Sequence, residues 1–223
     1  CPLLRQDRYG FGLKAPSTLT VRWLLRALDA FKKHEDNCSV QLSSVWMDID
    51  SVDFYSEPYD CAILLANGRF PADIESFKLF DEWLIPVCHP DYMAQAQPDL
   101  ADLAQCQFLH PSPDRREWRR WLARMDALDI SIDHGQVFDT LDQGISAAQQ
   151  GLGISVVDLV LASADLLAGR LVTPFKHAVA TGDGYYMTWL KASPKARQMH
   201  KLREFLLGQV PPLACKDINY LYG

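Results

Sequence analysis

The stretch from Phe138 to Val157, Phe-Asp-Thr-Leu-Asp-Gln-Gly-Ile-Ser-Ala-Ala-Gln-Gln-Gly-Leu-Gly-Ile-Ser-Val-Val, restricts the fold more than any other part of the chain. Leu141, Ile145 and Ala148 recur at one-face helical spacing, Asp139 or Thr140 stands where a helix cap is needed, and Gly151 supplies a left-handed stop. Ile154 to Val157 follows at once, short, apolar and rich in β-branched residues, as suits a parallel strand covered on both faces. Such a helix–strand unit leaves a helix N-terminus, with unpaired N–H groups and partial positive charge, facing the space beyond the strand ends. That is a ligand-site geometry.

The same rhythm recurs along the chain. Tyr9 to Lys14 reads as an opening strand, broken by Ala15-Pro16-Ser17-Thr18 before a long amphipathic helix whose apolar stripe is Val21, Leu24, Leu25, Leu28 and Phe31. Val40 and Leu42 mark a second strand ending near Trp46, and Cys61 to Leu65 a third that is fully buried. Strand, helix, strand, loop, strand is the pattern of a parallel sheet. Strands are expected at Ser76 to Phe80, Trp83 to Cys88 and Gln107 to His110, and short helices at Asp91 to Ala96 and near Leu100 to Leu103. Asp114 to Met125 predicts a helix with Trp118, Trp121 and Leu122 on one face, and Leu159 to Ala168 another closed by Gly169. Leu171-Val172 and Tyr185 to Trp189 read as strands, Pro194 to Leu207 as a last helix burying Met199, Leu202, Phe205 and Leu206, and residues 211–223 as a loose tail. The pattern restarts after Cys88 and returns at Tyr185-Tyr186. The sequence thus predicts two α/β lobes, residues 1–87 with 190–223 and residues 88–189, with the chain crossing twice.

Composition and motifs narrow the chemistry. With 22 basic and 28 acidic residues the net charge is −6, which argues against this piece itself binding nucleic acid. The 6 cysteines are scattered, several in apolar runs, and read as reduced thiols. The histidines form no i, i+4 pair and no Cys-x-x-Cys accompanies them, so no metal site is expected. Asp48-x-Asp50-x-x-Asp53 lacks the glycine and later glutamate of a calcium loop, and Gly151-Leu-Gly153 lacks the third glycine of a dinucleotide fingerprint. Cys88-His89 would point to opposite faces of a strand. No catalytic residue, cofactor or enzymatic activity is expected. No apolar run approaches membrane-spanning length and no signal-like segment opens the chain, so a cytoplasmic protein with no membrane partner is expected. The chain begins at Cys1 rather than methionine, which fits an excised part of a longer protein.

Taken in order, Ser17-Thr-x-x-Val-Arg-Trp-Leu-Leu25, Tyr59-Asp-Cys-Ala-Ile63, Leu84-Ile-Pro-Val-Cys-His-Pro90, Trp118-x-x-Trp121-Leu, Phe138-Asp139, Ala147-Ala-x-x-Gly-Leu-Gly-Ile154 and Gly169-Arg-Leu-Val172 resemble the effector-binding domain of LysR-type transcriptional regulators. The likeness spans roughly residues 9–208 and favours the branch of the glycine-cleavage and β-lactamase-induction activators. It departs from that branch at Leu64, where an arginine is usual, and at Ala66, where a glycine is usual. The resemblance implies a periplasmic-binding-protein-like fold of type 2, two α/β lobes joined by two crossover strands with a small effector between them. It also implies a winged helix-turn-helix that binds DNA, absent from this chain, and a homodimer, or a tetramer in the full-length protein. Arg22, Trp23 and Arg26 on the first helix are the interface candidates.

The candidate effector-binding residues are Ser17, Thr18, Thr20, Trp46, His110, Asp139 and Thr140. The hydroxyls of Ser17, Thr18 and Thr20 suit helix caps or ligand donors, and a cap facing a cleft serves as both. Trp46 reads as core or cleft wall, His110 as packing residue or ligand contact, and Asp139 as cap or acceptor of a ligand amine. The effector expected is amino-acid-like or a small carboxylate. The rival is a free-standing solute-binding protein of a transporter, which has a similar fold.

Overall fold

The computed structural model describes residues 9–45, 51–93, 98–213 and 215–222 of the 223-residue chain. In chain order the elements are β1 (Tyr9–Pro16), α1 (Ser17–Leu19), a π-helical turn (Thr20–Leu24), α2 (Leu25–His34), β2 (Cys38–Val45), β3 (Cys61–Ala66) and β4 (Ile74–Val87). A 3₁₀ segment (Leu100–Gln105), β5 (Phe108–His110), α3 (Arg116–Arg124), β6 (Gln136–Val137), α4 (Leu141–Gln149), β7 (Ile154–Asp158) and α5 (Leu159–Leu167) follow. Then come β8 (His177–Leu190), α6 (Ala196–Leu207) and β9 (Asn219–Leu221).

Packing divides these residues into two compact units. The first runs to Phe80 and resumes over Gly184–Val210, and the second takes Asp81–Asp183 and the residues from Pro211 on. The sequence reading set the divisions several residues later because it broke β4 at Asp81-Glu82 and started β8 at Tyr185. Both are in fact single strands of 14 residues, each running through a division. Hydrogen bonding links the strands in the order β2-β1-β3-β8-β4-β7-β5-β6 with β9 beside β8, so the division is one of packing rather than of strand pairing. Residues 219–222 are no loose tail either. β9 pairs in parallel with His177–Val179 of β8, and the rings of Tyr220 and Tyr222 each stand edge-on to Trp83, centroids 5.1 Å apart.

In the first unit β1 lies parallel to both β2 and β3, and β3 pairs antiparallel with Gly184–Trp189 of β8. Phe11, Leu13, Cys61, Ile63, Met187 and Trp189 are buried on these strands, and α6 adds Met199, Leu202 and Leu206. Phe205, expected in that stripe, is half-buried, edge-on to Phe31 and stacked on His34. The first helix departs from its expected stripe. Leu24 and Phe31 are buried, but Val21 and Leu25 are 55% and 51% exposed, while Thr20, Trp23 and Ala27 take the inner side. Trp23 wins because its large ring hides more apolar surface than a valine and its polar tip is satisfied. It meets Phe80 edge-on at 5.5 Å and its indole N–H donates to the Gln209 carbonyl at 3.0 Å. Trp23 is therefore a core residue and not an interface candidate.

In the second unit β5 runs parallel to β6 and β7, and β7 pairs antiparallel with Leu84–Val87 of β4. The expected strand at Leu171-Val172 is a single bridge between Val172 and Cys88. Trp118 and Trp121 on α3 are fully buried with Leu122, Phe108, Ile154 and Val156. The helix–strand unit anticipated from sequence is present: Leu141, Ile145 and Ala148 are buried, Gly151 has φ +76°, and all five residues of β7 are buried.

Gly135, just before β6, has φ +104°, and a Cβ there would lie 2.1 Å from the Phe108 carbonyl oxygen. Both backbone strain and overlap with β5 oppose a side chain. Gly135→Ala should therefore destabilise the protein by about 2–3 kcal/mol, read from denaturant unfolding, and an unchanged midpoint would contradict the close approach of these two strands.

Candidate functional site

In the first unit β1 ends at Pro16, where the chain turns into helix, and the parallel β2 ends at Val45. Pro16 occupies the cap position with extended backbone and offers no side-chain acceptor, as a proline must. Ser17 is half-buried and Thr18 fully buried at the start of the helical run. Thr20 is spent locally, its hydroxyl donating to the Pro16 carbonyl at 2.7 Å. For Thr20 the expected cap gives way to this back-bond, favoured because a buried hydroxyl must find an acceptor within reach. Trp46 lies outside the described residues. In the same unit Tyr186 of β8 pairs with Leu64 of β3, and its hydroxyl would lie 2.7 Å from a Cβ at Gly68.

In the second unit His110, Asp139 and Thr140 come together. His110 pairs with Val137 across β5 and β6, and its carbonyl accepts from the Phe138 N–H at 2.8 Å. Its ring is wholly buried, with Nε2 2.9 Å from the His134 carbonyl while Nδ1 has no partner. Burial pushes the imidazole pKa down, so the ring is neutral at pH 7, Nε2 carrying the proton toward His134 and Nδ1 free to accept. Thr140, not Asp139, caps α4: Oγ1 accepts from the Gln143 N–H at 3.3 Å and Gln143 Oε1 accepts from the N–H groups of Asp139 and Thr140. Such a reciprocal box satisfies the leading donors and leaves the Asp139 carboxylate exposed.

A polar cluster that the sequence reading missed lies in the same unit. Glu82, 4% exposed on β4, accepts both guanidinium nitrogens of Arg116, at 3.1 and 2.5 Å, and the Thr181 hydroxyl at 2.6 Å. Arg116 also reaches Asp183 at 3.1 Å, as does Arg120. Burial acts against the Arg116 charge, but the bond to Glu82 outweighs it and holds the guanidinium firmly ionised. Asp158, at the end of β7, caps α5 through the Leu161 N–H and accepts from the Trp83 N–H. Complete burial, aided by the Glu82 charge, pushes its carboxyl up to about 7. Acidic residues inside apolar strands, the Asp81-Glu82 pair in Phe-Asp-Glu-Trp-Leu and Asp158 after Ser-Val-Val, were the available signal. Among the described residues no cluster of three His, Cys, Asp or Glu is placed to hold a metal, and no helix is long and apolar enough to cross a membrane.

The strand order and paired α/β units define a ligand-binding architecture of the periplasmic-binding-protein-like type 2 kind, in which sites form beyond the carboxyl ends of parallel strands. Residues 7–211 match the LysR substrate binding domain, and the chain belongs to that family. It is 25% identical over 194 residues to the glycine cleavage system transcriptional activator of Escherichia coli strain K12, covering 86% of this chain and 62% of that protein. It is 30% identical over 193 residues to the HTH-type transcriptional activator AmpR of Citrobacter koseri, covering 86% and 65%. Among solved structures, the effector domain of the transcriptional regulator AmpR of Pseudomonas aeruginosa superposes with a TM-score of 0.75 at 29% identity, covering 91% of this chain and 95% of that one. The chain thus spans roughly three-fifths of the length of the activators it matches.

The Asp158 carboxyl ties stability to pH. Its folded pKa is raised from 3.8 to about 7, so the folded state holds the proton more tightly. The stabilisation is complete below the unfolded value and is lost as pH rises through the folded one. Melting curves between about pH 5 and 8 should show the wild type losing, relative to Asp158→Asn, on the order of a few kcal/mol. Parallel pH profiles for the two proteins would disprove it.

Proposed function

We propose that the chain is the effector-sensing part of a LysR-type transcriptional regulator, acting in the cytoplasm and reporting a small ligand to a DNA-binding module elsewhere in the full-length protein. The observation that carries this reading is the family match over residues 7–211 together with a helix start after a parallel strand in each unit. Backbone N–H groups at such starts favour an anionic guest. In the second unit the exposed Asp139 carboxylate supplies a receptor for an amine and His110 Nδ1 a buried acceptor, which together favour an amino-acid-like molecule over a bare carboxylate. The matched relatives are named as regulators, so the transporter reading is set aside.

Calorimetric titration against amino acids and small carboxylates tests the ligand class. Once a binder is in hand, Thr18→Ala should weaken it by about 1–2 kcal/mol, with melting run alongside because the residue is buried. A best binder that is a cation or wholly apolar, or one that Thr18→Ala binds unchanged, removes the assignment.

We further propose a homodimer that covers the apolar strip of Val21 and Leu25, which is flanked by Arg22 and Arg26. Half-exposed aliphatic side chains on one helical face are where association removes apolar area from water. Sedimentation equilibrium should find Leu25→Glu monomeric at concentrations where the wild type pairs, with unfolding little altered. Equal masses for both proteins would refute this surface.

A further inference from the structure

Helix α3 and the residue before it carry two arginine pairs spaced four apart, and of these four only Arg116 and Arg120 form ion pairs among the described residues. Arg116 and Arg120 are committed to Glu82 and Asp183. Arg115 and Arg119 have no carboxylate within ion-pair distance among the described residues; Arg119 donates to the backbone carbonyl of Asp114. Residues at i and i+4 share a helix face, so these two like charges repel each other. Arg115 is also left-handed, φ 55°, a conformation that side-chain-bearing residues rarely adopt and that concentrates at binding sites. Its Nε is buried with no partner.

The two arginines line a groove of about 260 Å³ whose other wall is apolar: Leu122, Leu128, Ile130 and Ile132. Leu128 is 66% exposed. Asp114 and Asp133 complete the lining; burial acts against the Asp114 carboxylate, but the Ser112 hydroxyl at 2.8 Å, the Arg116 N–H at 3.2 Å and the nearby Arg119 charge hold it ionised, so Arg119 is partly compensated and Arg115 is the freer of the two charges. The volume lies just under the roughly 300–1,000 Å³ of ordinary small-molecule sites. We propose that this groove is a second ligand site, contained wholly in the second unit, for a small carboxylate with an apolar body. The carboxylate would neutralise the Arg115 and Arg119 pair and supply the acceptor that Arg115 Nε lacks. The body would cover exposed Leu128 and the half-buried Ile130 and Ile132 beside it. A bare inorganic anion would use the first feature alone, and an apolar amine only the second. None of the residues proposed for the effector is involved, so the two readings stand or fall separately.

The test is an amide-detected NMR titration of the chain with benzoate and hexanoate, with inorganic phosphate and hexylamine as controls. Both carboxylates should give saturable shifts confined to residues 114–133, with dissociation constants of about millimolar order, and neither control should. Arg115→Gly with Arg119→Ala removes both charges at positions that tolerate it, since glycine accepts the left-handed backbone and Arg119 is exposed. That pair should weaken benzoate at least about tenfold. Leu128→Ser, at an exposed position, should weaken hexanoate severalfold while the spectrum stays dispersed. No localised shift up to roughly 50 mM, equal binding of phosphate or hexylamine, or unchanged affinity in the arginine double variant overturns the proposal.

Discussion

The second unit depends on the Glu82 carboxylate being held by Arg116. Taking such a charge out of water costs several kcal/mol, and the cost is offset only when the partner is close and the remaining lone pairs are filled. Two guanidinium bonds and the Thr181 hydroxyl meet that requirement. Because Arg116 also reaches Asp183, one side chain of α3 ties together β4 and β8, close to where the packing divides on each strand. The indole N–H groups of Trp118 and Trp121 fasten the other side of that helix, to the carbonyls of Leu109 and His177. With β4 and β8 so held, β7 and β5 follow in register and bring His110 beside the start of α4.

The two helix starts differ in chemistry although they come from one architectural rule. At Pro16 the chain has no side-chain acceptor to offer its helix. At Thr140 a reciprocal capping box serves the first N–H groups from within and leaves the Asp139 carboxylate exposed.

The sequence alone determined the elements whose cause is local. The helix–strand unit around Leu141 to Val157, the buried Trp118 and Trp121 face, the left-handed stop at Gly151 and the resemblance to a regulator's effector domain all follow from spacing, turn chemistry and motif order. The tertiary structure decided what depends on partners distant in the chain. Trp23 turns inward because Phe80 and the Gln209 carbonyl await it, and β4 runs on through Asp81-Glu82 because Arg116 neutralises Glu82. Thr140 rather than Asp139 caps α4, a choice made by the reach of Gln143, and residues 219–221 become a strand because β8 has an edge to pair with. Periodicity reports which face of an element is apolar. It carries no information about which charge on another strand will neutralise a buried one, and that pairing is a property of the folded chain.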